Sequence, residues 1–342
     1  MKILYGVQAT GNGHITRARA LLPSLQQQGI EVDFLFSGRP KQRLFDMEMF
    51  KDYRWARGFT FATAKGKVNT LATLTQLQPW QFYRDVSQLD VSDYDLILTD
   101  FEPVTAWAAK RQGILSVGLA RQYALRYPLA GQQSARWLKT AVSIFAPAKL
   151  MLGVHWCPEF PSLLPPLLAP VSPLPVDGSE LPFILVYLPF EQLSAVVNWL
   201  KQCPSWHFKL YANVNALRTD DNVTILPLSR HAFPADLQRC RGVICNSGFG
   251  LCSEALVAGK KLLIKSLQGQ IEQAYNTFTL LKMGKAQQFK TFSPEALLNW
   301  LYQPAAEPFP MPDPATAVAR WLKQGCVDTV SDLAATIWQQ QR

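Results

Sequence analysis

The sequence of 342 residues has few of the features that mark secreted, membrane-spanning or zinc-binding proteins. Its six cysteines show no C-x-x-C spacing, so we expect buried thiols and neither disulfides nor a zinc site. Residues 1–7 lead at once into polar, glycine-rich sequence, which is not the pattern of a secretory signal. Prolines interrupt the longest apolar stretch, 160–175, so it cannot form a membrane helix of ~20 residues. We therefore expect a cytoplasmic protein.

Acidic residues are scarce in the first part of the chain. The formal net charge is +9, and residues 1–150 hold 19 Lys and Arg against 11 Asp and Glu, while the remainder holds 15 against 14. This excess predicts either a solvated basic face or an anionic partner, such as a lipid-linked acceptor or the inner face of a membrane. Nucleic acid is not expected as a partner, because no RRM, zinc or OB signature accompanies the charge.

Two series of alternating strands and helices follow one another along the chain. A hydrophobic content of 48% and a charged content of 17% indicate a folded protein with room for two domains. Apolar runs alternate with helical patterns in both series, which predicts parallel sheets covered by helices. A proline-rich segment separates the two series. We expect domains at 1–157 and 183–314, a linker at 158–182, and C-terminal helices at 315–342 for which a return to the first domain is one option.

Two glycine-rich turns stand where an apolar run passes into a helical pattern. Ligands of open α/β sheets bind at such turns, because glycine admits close approach and the helix start offers N–H groups to an anion. The first turn is Gly11-Asn12-Gly13-His14 and the second spans residues 246–250. The first turn fits a dinucleotide fold only in part, since the third glycine and the ribose-binding acid are missing. A nicotinamide enzyme is therefore disfavoured, with Arg39 keeping an NADP variant open.

The second turn and its downstream neighbours resemble a known signature. Residues 242–259, followed by Glu272, Gln273 and Asn276, resemble the donor-binding region of GT-B glycosyltransferases, in particular the UDP-glycosyltransferases and the peptidoglycan N-acetylglucosaminyltransferase. The resemblance implies two facing Rossmann-like α/β domains, each a doubly wound parallel sheet, with an interdomain cleft. It also implies that the glycine turn holds the donor diphosphate, that Glu254 binds ribose, and that Glu272 and Gln273 bind the sugar. The implied donor-binding residues are Asn246, Ser247, Gly248, Phe249, Gly250, Glu254, Glu272 and Gln273.

The N-terminal half resembles the same superfamily at two places. Residues 12–17 are similar to its first-loop Gly-His element, and residues 96–113 to its strand-Asp-helix segment. The resemblance implies that His14 is the general base and that Asp100 orients it. Asp100 as a strand end or a helix cap is the alternative, and Glu102 is the substitute base if His14 only binds acceptor. The expected acceptor-binding residues are Gly11, Asn12, Gly13, Arg17 and Arg121.

These features predict an inverting glycosyltransferase that moves a hexosyl or N-acetylhexosaminyl group from a nucleotide sugar, with a UDP-sugar favoured, to a hydroxyl acceptor. No cofactor is expected, because the nucleotide sugar is a substrate. No metal is expected either, since Asp93-Tyr94-Asp95 precedes an apolar strand as a solvated lead-in. Two alternatives stay open, namely a sugar-nucleotide epimerase of the same fold and a non-catalytic nucleotide-sugar-binding or activator protein. The second rests on Asn246 and Leu251, which stand where this family commonly has a histidine and a hydroxyl residue.

Overall fold

The computed structural model describes residues 1–44, 46–59, 63–64, 67–68, 78–129, 136–169 and 181–340. It divides the chain into two compact units. The first consists of Met1–Ala62, Thr70–Pro170 and Met311–Arg342, and the second of Thr63–Asn69 and Val171–Pro310. Within the described ranges, no helix is both long and apolar enough to cross a membrane.

A seven-stranded parallel sheet forms the centre of the first unit. Its strands are β1 (Lys2–Gln8), β2 (Glu31–Ser37), β3 (Arg54–Trp55), β6 (Leu96–Asp100), β7 (Ser116–Ala120), β8 (Leu150–Val154) and β9 (Leu163–Leu164). A short antiparallel pair, β4 (Thr63–Ala64) and β5 (Lys67–Val68), lies between β3 and β6 in the chain. The spatial order β3-β2-β1-β6-β7-β8-β9 changes direction at β1, where Val7 pairs with Asp100 of β6.

Helices cover both faces of this first sheet. They are α1 (Asn12–Gln27), α2 (Pro79–Gln88), α3 (Pro103–Gln112), α4 (Arg121–Ala124) and α5 (Arg136–Phe145), with 3-10 turns at Lys41–Arg43 and Glu48–Phe50. The chain steps from β1 through β2 to β3 in one direction, and from β6 through β7 to β8 in the other. Because crossovers between parallel strands are right-handed, α1 lies on one face and α2, α3 and α5 lie on the other. On that second face α2 packs against α3.

The second unit repeats this architecture. Its strands are β10 (Phe183–Tyr187), β11 (His207–Ala212), β12 (Arg218–Asp220), β13 (Val223–Pro227), β14 (Gly242–Asn246), β15 (Lys261–Lys265) and β16 (Ala286–Gln288). Its helices are α6 (Leu193–Leu200), α7 (Ala232–Arg239), α8 (Phe249–Val257), α9 (Ile271–Lys282) and α10 (Pro294–Leu301). The strand order β12-β13-β11-β10-β14-β15-β16 changes direction at β10, and only the edge strand β12 runs antiparallel within this sheet. Trp199 and Phe289 stack in its core with ring centres 4.9 Å apart.

The end of the chain belongs to the first unit. Helix α11 (Ala315–Lys323) packs against α1, and α12 (Val330–Gln339) is tied to β9 by a hydrogen bond of 2.7 Å from Trp338 Nε1 to the Leu163 carbonyl. The start of the expected linker also belongs to this unit. Leu163, Leu164 and Leu167 are buried. Burial of these apolar side chains stabilises the packing of part of the proline-rich segment against the sheet. Residues 170–180 of that segment lie outside the described residues.

One glycine of β1 sets how closely α3 approaches the sheet. A Cβ atom at Gly6 would collide with Thr105 Oγ1 and lie 2.9 Å from Glu102 Oε2, whereas one at Gly13 would meet nothing within 4 Å. We expect Gly6→Ala to lower the free energy of unfolding by about 1–3 kcal/mol, the usual cost of overpacking. The matched change Gly13→Ala, in a helix, should be neutral or gain up to about 1 kcal/mol. Denaturant titration measures both, and equal effects would contradict the close approach.

Candidate active site

The two glycine turns lie at equivalent places in the two units. In a doubly wound sheet, ligands bind at the carboxyl edge where the strand order changes direction, because the helices there diverge to opposite faces. In the first unit this point lies between β1 and β6, and in the second between β10 and β14. The turn 11–14 follows β1, and the turn 246–250 ends β14 and begins α8. Both motifs therefore stand where the fold creates a crevice.

His14 and Asp100 are in direct contact in the first unit. His14 lies in the first turn of α1 and Asp100 is the last residue of β6, and 2.7 Å separates His14 Nδ1 from Asp100 Oδ1. Burial by itself raises the pKa of Asp100, but attraction to Arg17 and His14 brings that pKa below its ordinary value. The carboxylate is therefore ionised and accepts the bond. Arg17 also approaches Nδ1, at 3.1 Å, but the shorter contact with the carboxylate assigns the proton to Nδ1 and leaves the lone pair of the imidazole on Nε2.

Arg17 binds the same carboxylate from the next turn of α1. Its Nε donates to Asp100 Oδ2 at 2.7 Å and its second terminal nitrogen donates to Oδ1 at 2.8 Å. Such a two-point pair matches the planar guanidinium to the carboxylate. Arg17 and Asp100 are both buried. The sequence analysis named Arg17 as an acceptor ligand, whereas the structure places its charge on Asp100, where it balances a buried anion.

Gln122 is a site residue that sequence analysis missed. It follows the carboxyl end of β7, the strand beside β6, and its amide nitrogen lies 3.4 Å from His14 Nε2. This amide therefore faces the nitrogen that holds the lone pair. The available signal was positional, since the residues that follow the carboxyl ends of parallel strands reach the same edge of the sheet. The sequence analysis selected the neighbouring Arg121 because of its charge instead.

The glycines of the first turn border open space. Gly11 is the extended N-cap of α1, and Cβ atoms built at Gly11 or Gly13 would have no neighbour within 4 Å. Asn12 lies between them, and its side-chain oxygen accepts a hydrogen bond of 2.9 Å from Arg39. Arg39, which the sequence analysis considered as a ligand of NADP, thus stabilises the turn through this hydrogen bond. The space beside Gly11 and Gly13 gives a substrate access to the start of α1.

Glu102 caps helix α3. Its carboxylate accepts the backbone N–H groups of Val104 and Thr105 at 2.8 and 2.7 Å, and also the hydroxyl groups of Thr105 and Ser37, each at 2.7 Å. Burial raises the pKa of Glu102, and these hydrogen bonds oppose that rise. A fully buried carboxylate with four donors does not suit the substitute base that the sequence left open. The residue that caps helix α3 is thus Glu102 and not Asp100, whose carboxylate contacts His14 instead.

Arg121 lies away from the crevice, in a buried cluster after β7 and β8. Its guanidinium donates to His155 Nδ1 at 3.0 Å and to the Val154 carbonyl at 3.3 Å, and it lies 5.5 Å from the centre of the Trp156 ring. Its side chain is 1% exposed. The contact between Arg121 and an acceptor that the sequence analysis expected would require this cluster to open.

His155 also belongs to the one group of possible metal ligands in the described part of the chain. A ring nitrogen of His155, Cys157 Sγ and a carboxylate oxygen of Glu159 lie within 4.8 Å of one another, and His155 Nε2 is 3.8 Å from Glu159 Oε2. An arginine can only donate, so the bond from Arg121 occupies the lone pair of His155 Nδ1 and places the proton of the neutral ring on Nε2. Burial, followed by repulsion from Arg121, lowers the pKa of His155 and keeps the ring neutral. The nitrogen that faces the group is thus a donor, and the arrangement as it stands does not suit a metal ion.

In the second unit, helix α8 begins in open surroundings. Gly248 is its N-cap in an extended conformation, and a Cβ atom there would meet nothing within 4 Å. The first turn of a helix directs backbone N–H groups outward and carries a partial positive charge, which suits an anionic diphosphate. Phe249, the first helical residue, is buried and anchors the turn from below. Gly250 follows within the same turn.

The turn before α8 is locked by side chains of α9. Ser247 Oγ donates to the Gln273 backbone carbonyl at 3.0 Å, and Asn276 Nδ2 donates to the Ser247 carbonyl at 2.9 Å. Gln273 Oε1 accepts from Leu267 N at 2.8 Å, so this side-chain oxygen serves the fold. Its partner in the expected sugar-binding pair, Glu272, is partly exposed in the first turn of α9. Of this pair, Gln273 is thus engaged inside the protein and Glu272 lies at the surface.

Asn246 holds one end of this turn and leaves an oxygen unused. Its Nδ2 donates to the Lys265 carbonyl at 3.0 Å, while its Oδ1 is buried without a hydrogen-bond partner among the described residues. An unpaired buried acceptor costs about 1–3 kcal/mol. It is a position at which a ligand N–H or O–H would relieve that cost.

Glu254 is the most perturbed carboxyl group of the second unit. It lies one turn further along α8, and burial raises its pKa to about 7 from an ordinary value of 4.5. Among the residues that the structure describes, none donates a hydrogen bond to it and none forms an ion pair with it. A half-buried carboxyl group without a partner, on the helix that begins at the glycine turn, is suited to bind hydroxyl groups of a ligand.

Lys265 and Glu191 form an ion pair at the same edge, which the sequence analysis did not identify. Lys265 ends β15, Glu191 follows β10, and 2.5 Å separates Lys265 Nζ from Glu191 Oε2. Glu191 is almost fully buried, and its second oxygen has no partner in the described part of the chain. This pair lies at the carboxyl edge of the second sheet, where β10 and β15 end.

Solved glycosyltransferases share this architecture at low sequence identity. UGT89C1 of Arabidopsis thaliana complexed with quercetin has a TM-score of 0.59 and 15% identity, over 99% of this chain and 98% of that chain. The same protein complexed with UDP has a TM-score of 0.56 and 16% identity, over 98% and 99%. SsfS6 of Streptomyces sp. SF2575, complexed with thymidine diphosphate, has a TM-score of 0.58 and 14% identity, over 99% of both chains. These similarities confirm the predicted GT-B fold.

A search among curated proteins yields no match for the chain. The family model described as "Glycosyl transferase family 1" matches residues 1–304, which is most of the sequence. This match confirms the resemblance that the two glycine turns indicated. The chain belongs to glycosyl transferase family 1.

Proposed function

We propose that this glycosyltransferase moves a sugar from a UDP-sugar to a hydroxyl acceptor with inversion at the anomeric carbon and without a metal ion. The observation that carries the proposal is the contact of 2.7 Å between His14 and Asp100, with the lone pair of the imidazole on Nε2. A hydroxyl group is too weak a nucleophile at neutral pH unless a base accepts its proton. His14 is the residue at the switch point of the first sheet that is arranged to do so.

The chemical step follows from this arrangement. His14 Nε2 takes the proton of the acceptor hydroxyl as its oxygen forms a bond to the anomeric carbon of the donor sugar. The bond between that carbon and the diphosphate oxygen breaks, and UDP leaves with the electron pair. Asp100 stabilises the imidazolium that forms, and Arg17 keeps Asp100 ionised and in place. One displacement at the carbon inverts its configuration.

The donor is bound by the second unit in this proposal. The N-terminus of α8 at Gly248 accepts the diphosphate, and it stabilises the charge that develops on the leaving group. Glu254 binds the ribose hydroxyl groups, and Asn246 Oδ1 accepts a hydrogen bond from the ligand. Support for the donor class comes from the similar structures solved with UDP and with thymidine diphosphate, and support for a hydroxyl acceptor from the one solved with quercetin.

His14→Ala tests the base. We expect turnover to fall by about 10²–10⁴-fold, the range for general-base assistance, with donor affinity unchanged. The measurement is the release of UDP from a panel of UDP-sugars with phenolic and sugar acceptors, in the presence of EDTA. His207→Ala, an exposed change at the start of β11, is the control and should leave turnover intact.

Three results would count against the proposal. Normal turnover in His14→Ala would remove the base from the mechanism. Loss of activity in EDTA, restored by magnesium or manganese, would place a metal in it. Conversion of the nucleotide sugar without acceptor would favour an epimerase, because a transferase needs both substrates.

Glu254→Gln tests the donor site through its pH dependence. The pKa of Glu254 in the folded protein is about 7, above the ordinary value of 4.5. The free energy of unfolding that the protonated carboxyl group contributes is therefore complete below about pH 4.5 and is lost as the pH rises through 7. Ribose hydroxyl groups donate to the ionised form, so UDP affinity should rise across pH 7. In Glu254→Gln, affinity should be lower by about 1.5–3 kcal/mol at pH 8, and the unliganded variant should melt higher there than the parent.

Calorimetry at several pH values measures both effects for Glu254. Glu295→Gln, an exposed change in the first turn of α10, serves as the matched control. UDP affinity in Glu254→Gln that equals the parent's at every pH would remove Glu254 from the donor site.

Arg17→Gln tests the coupling of the ion pair to the base. Without the guanidinium, the full charge of Asp100 acts on the imidazolium of His14, so the acid limb of the pH–rate profile should move to higher pH. Arg17→Lys keeps the charge and should move the limb less, even if both variants lose stability. A limb that stays in place in Arg17→Gln would reduce Arg17 to a purely structural role.

A further inference from the structure

The outer surface of three helices in the first unit exposes large apolar side chains. Trp80 is 84% exposed, Tyr83 60%, Trp137 59% and Ile144 58%. Contiguous exposed apolar surface on a folded protein marks a docking site more often than chance. We call the surface formed by Trp80, Tyr83, Trp107, Trp137 and Ile144 the aromatic face.

The three helices that carry the aromatic face form one continuous layer. Helix α2 packs against α3, and Trp107 Nε1 of α3 donates to the Ile144 carbonyl of α5 at 3.0 Å. The ring of Phe59 joins α2 to α5, with its centre 4.4 Å from that of Phe82 and 6.0 Å from that of Phe145. The helices that carry the exposed side chains are therefore neighbours in one layer.

The charge of this layer is almost entirely positive. Among the side chains that the structure describes, helices α2, α3 and α5 carry Arg84, Lys110, Arg111 and Lys139, against Asp85 alone. The Asp85 carboxylate accepts a hydrogen bond of 2.7 Å from Gln81 in its own helix. The cations lie among the rings, since Lys110 Nζ is 4.7 Å from the centre of the Trp107 ring and the Arg111 guanidinium is 6.0 Å from that of Tyr83.

We propose that the aromatic face docks the protein on the surface of an anionic phospholipid bilayer. Tryptophan and tyrosine prefer the boundary between headgroups and hydrocarbon, because one part of each ring is apolar and the other forms hydrogen bonds. Clustered basic residues are attracted to anionic headgroups, and the two effects together give stable yet reversible binding. The aromatic face offers both on a single rigid layer.

Charge distinguishes this occupant from a second copy of the chain. A symmetric dimer through the aromatic face would bring the same surface against itself, and its basic residues would then face one another. Like charges opposed across an interface cost several kcal/mol. A bilayer that contains anionic lipid supplies the complementary charge instead.

Cosedimentation of the full chain with vesicles tests the proposal. Vesicles of phosphatidylcholine with phosphatidylglycerol should bind the protein, and vesicles of phosphatidylcholine alone should bind it far more weakly. Added salt should weaken the binding, because the Debye length falls below about 10 Å above 0.1 M. The triple change Arg84→Gln, Lys110→Gln and Lys139→Gln should lower the partition coefficient by about fivefold per charge. The double change Trp80→Ser and Trp137→Ser should lower it by roughly tenfold or more.

Two control variants match these changes elsewhere on the chain. Tyr302→Ser removes a ring that is 74% exposed in the second unit, and Arg320→Gln removes an exposed cation from α11, which packs on α1 at the opposite face of the first sheet. Both should bind vesicles as the parent does. The melting temperature of each variant is measured first, and binding is compared at a temperature at which all variants are folded, so that unfolding is not mistaken for release.

Each remaining outcome would overturn the proposal. These outcomes are equal binding to neutral vesicles, absence of binding to anionic ones, and equal loss in the control variants. Concentration-dependent dimers in sedimentation equilibrium that the tryptophan changes abolish, without vesicle binding by the parent, would assign the aromatic face to self-association.

Discussion

A buried carboxylate governs the arrangement of the first unit's site. Asp100 ends β6 without access to solvent, so its charge must be balanced inside the protein. Arg17 supplies that balance through two hydrogen bonds, and His14 supplies a third contact from the same helix. The helix that follows the first glycine turn is thereby held to the end of the neighbouring strand. An imidazole that is fixed in this way keeps its other ring nitrogen, Nε2, away from the carboxylate.

Much of the fold could be predicted because it depends on local pattern. The alternation of apolar runs with helical patterns predicted the parallel sheets, and a helix begins at each of the two glycine turns as expected. Gly259 and Gly284 follow helices with φ of 64° and 65°, a conformation that favours glycine. Contact between His14 and Asp100 was also within reach, since both follow strands that pair in a parallel sheet.

The elements and contacts that sequence analysis missed depend on distant residues. Strand β15 (Lys261–Lys265) begins and ends with lysine, and it is identified as a strand only by its pairing with β14. Arg17 and Asp100 are 83 positions apart, and a lone arginine on a helix surface carries no sign of a buried partner. Arg17 and Arg121, both named as acceptor residues, have such internal partners in Asp100 and His155. The capping role of Glu102 depends only on residues next to it in the sequence and could have been predicted. The sequence analysis considered Asp100 as the cap instead, because it lies at the end of the strand.

The order of the two units along the chain has a consequence for how such proteins can be recombined. Apart from the segment Thr63–Asn69, the second unit is a single stretch, Val171–Pro310, and the chain then returns to complete the first unit. Lys323 Nζ donates to the Gly29 carbonyl at 3.3 Å, and Trp338 donates to the Leu163 carbonyl, so the final helices are part of that unit's structure. The second unit is therefore organised as a cassette that can be exchanged between homologues with two crossovers. A chain that stops after the first 170 residues would instead leave the α11-binding surface of α1 uncovered.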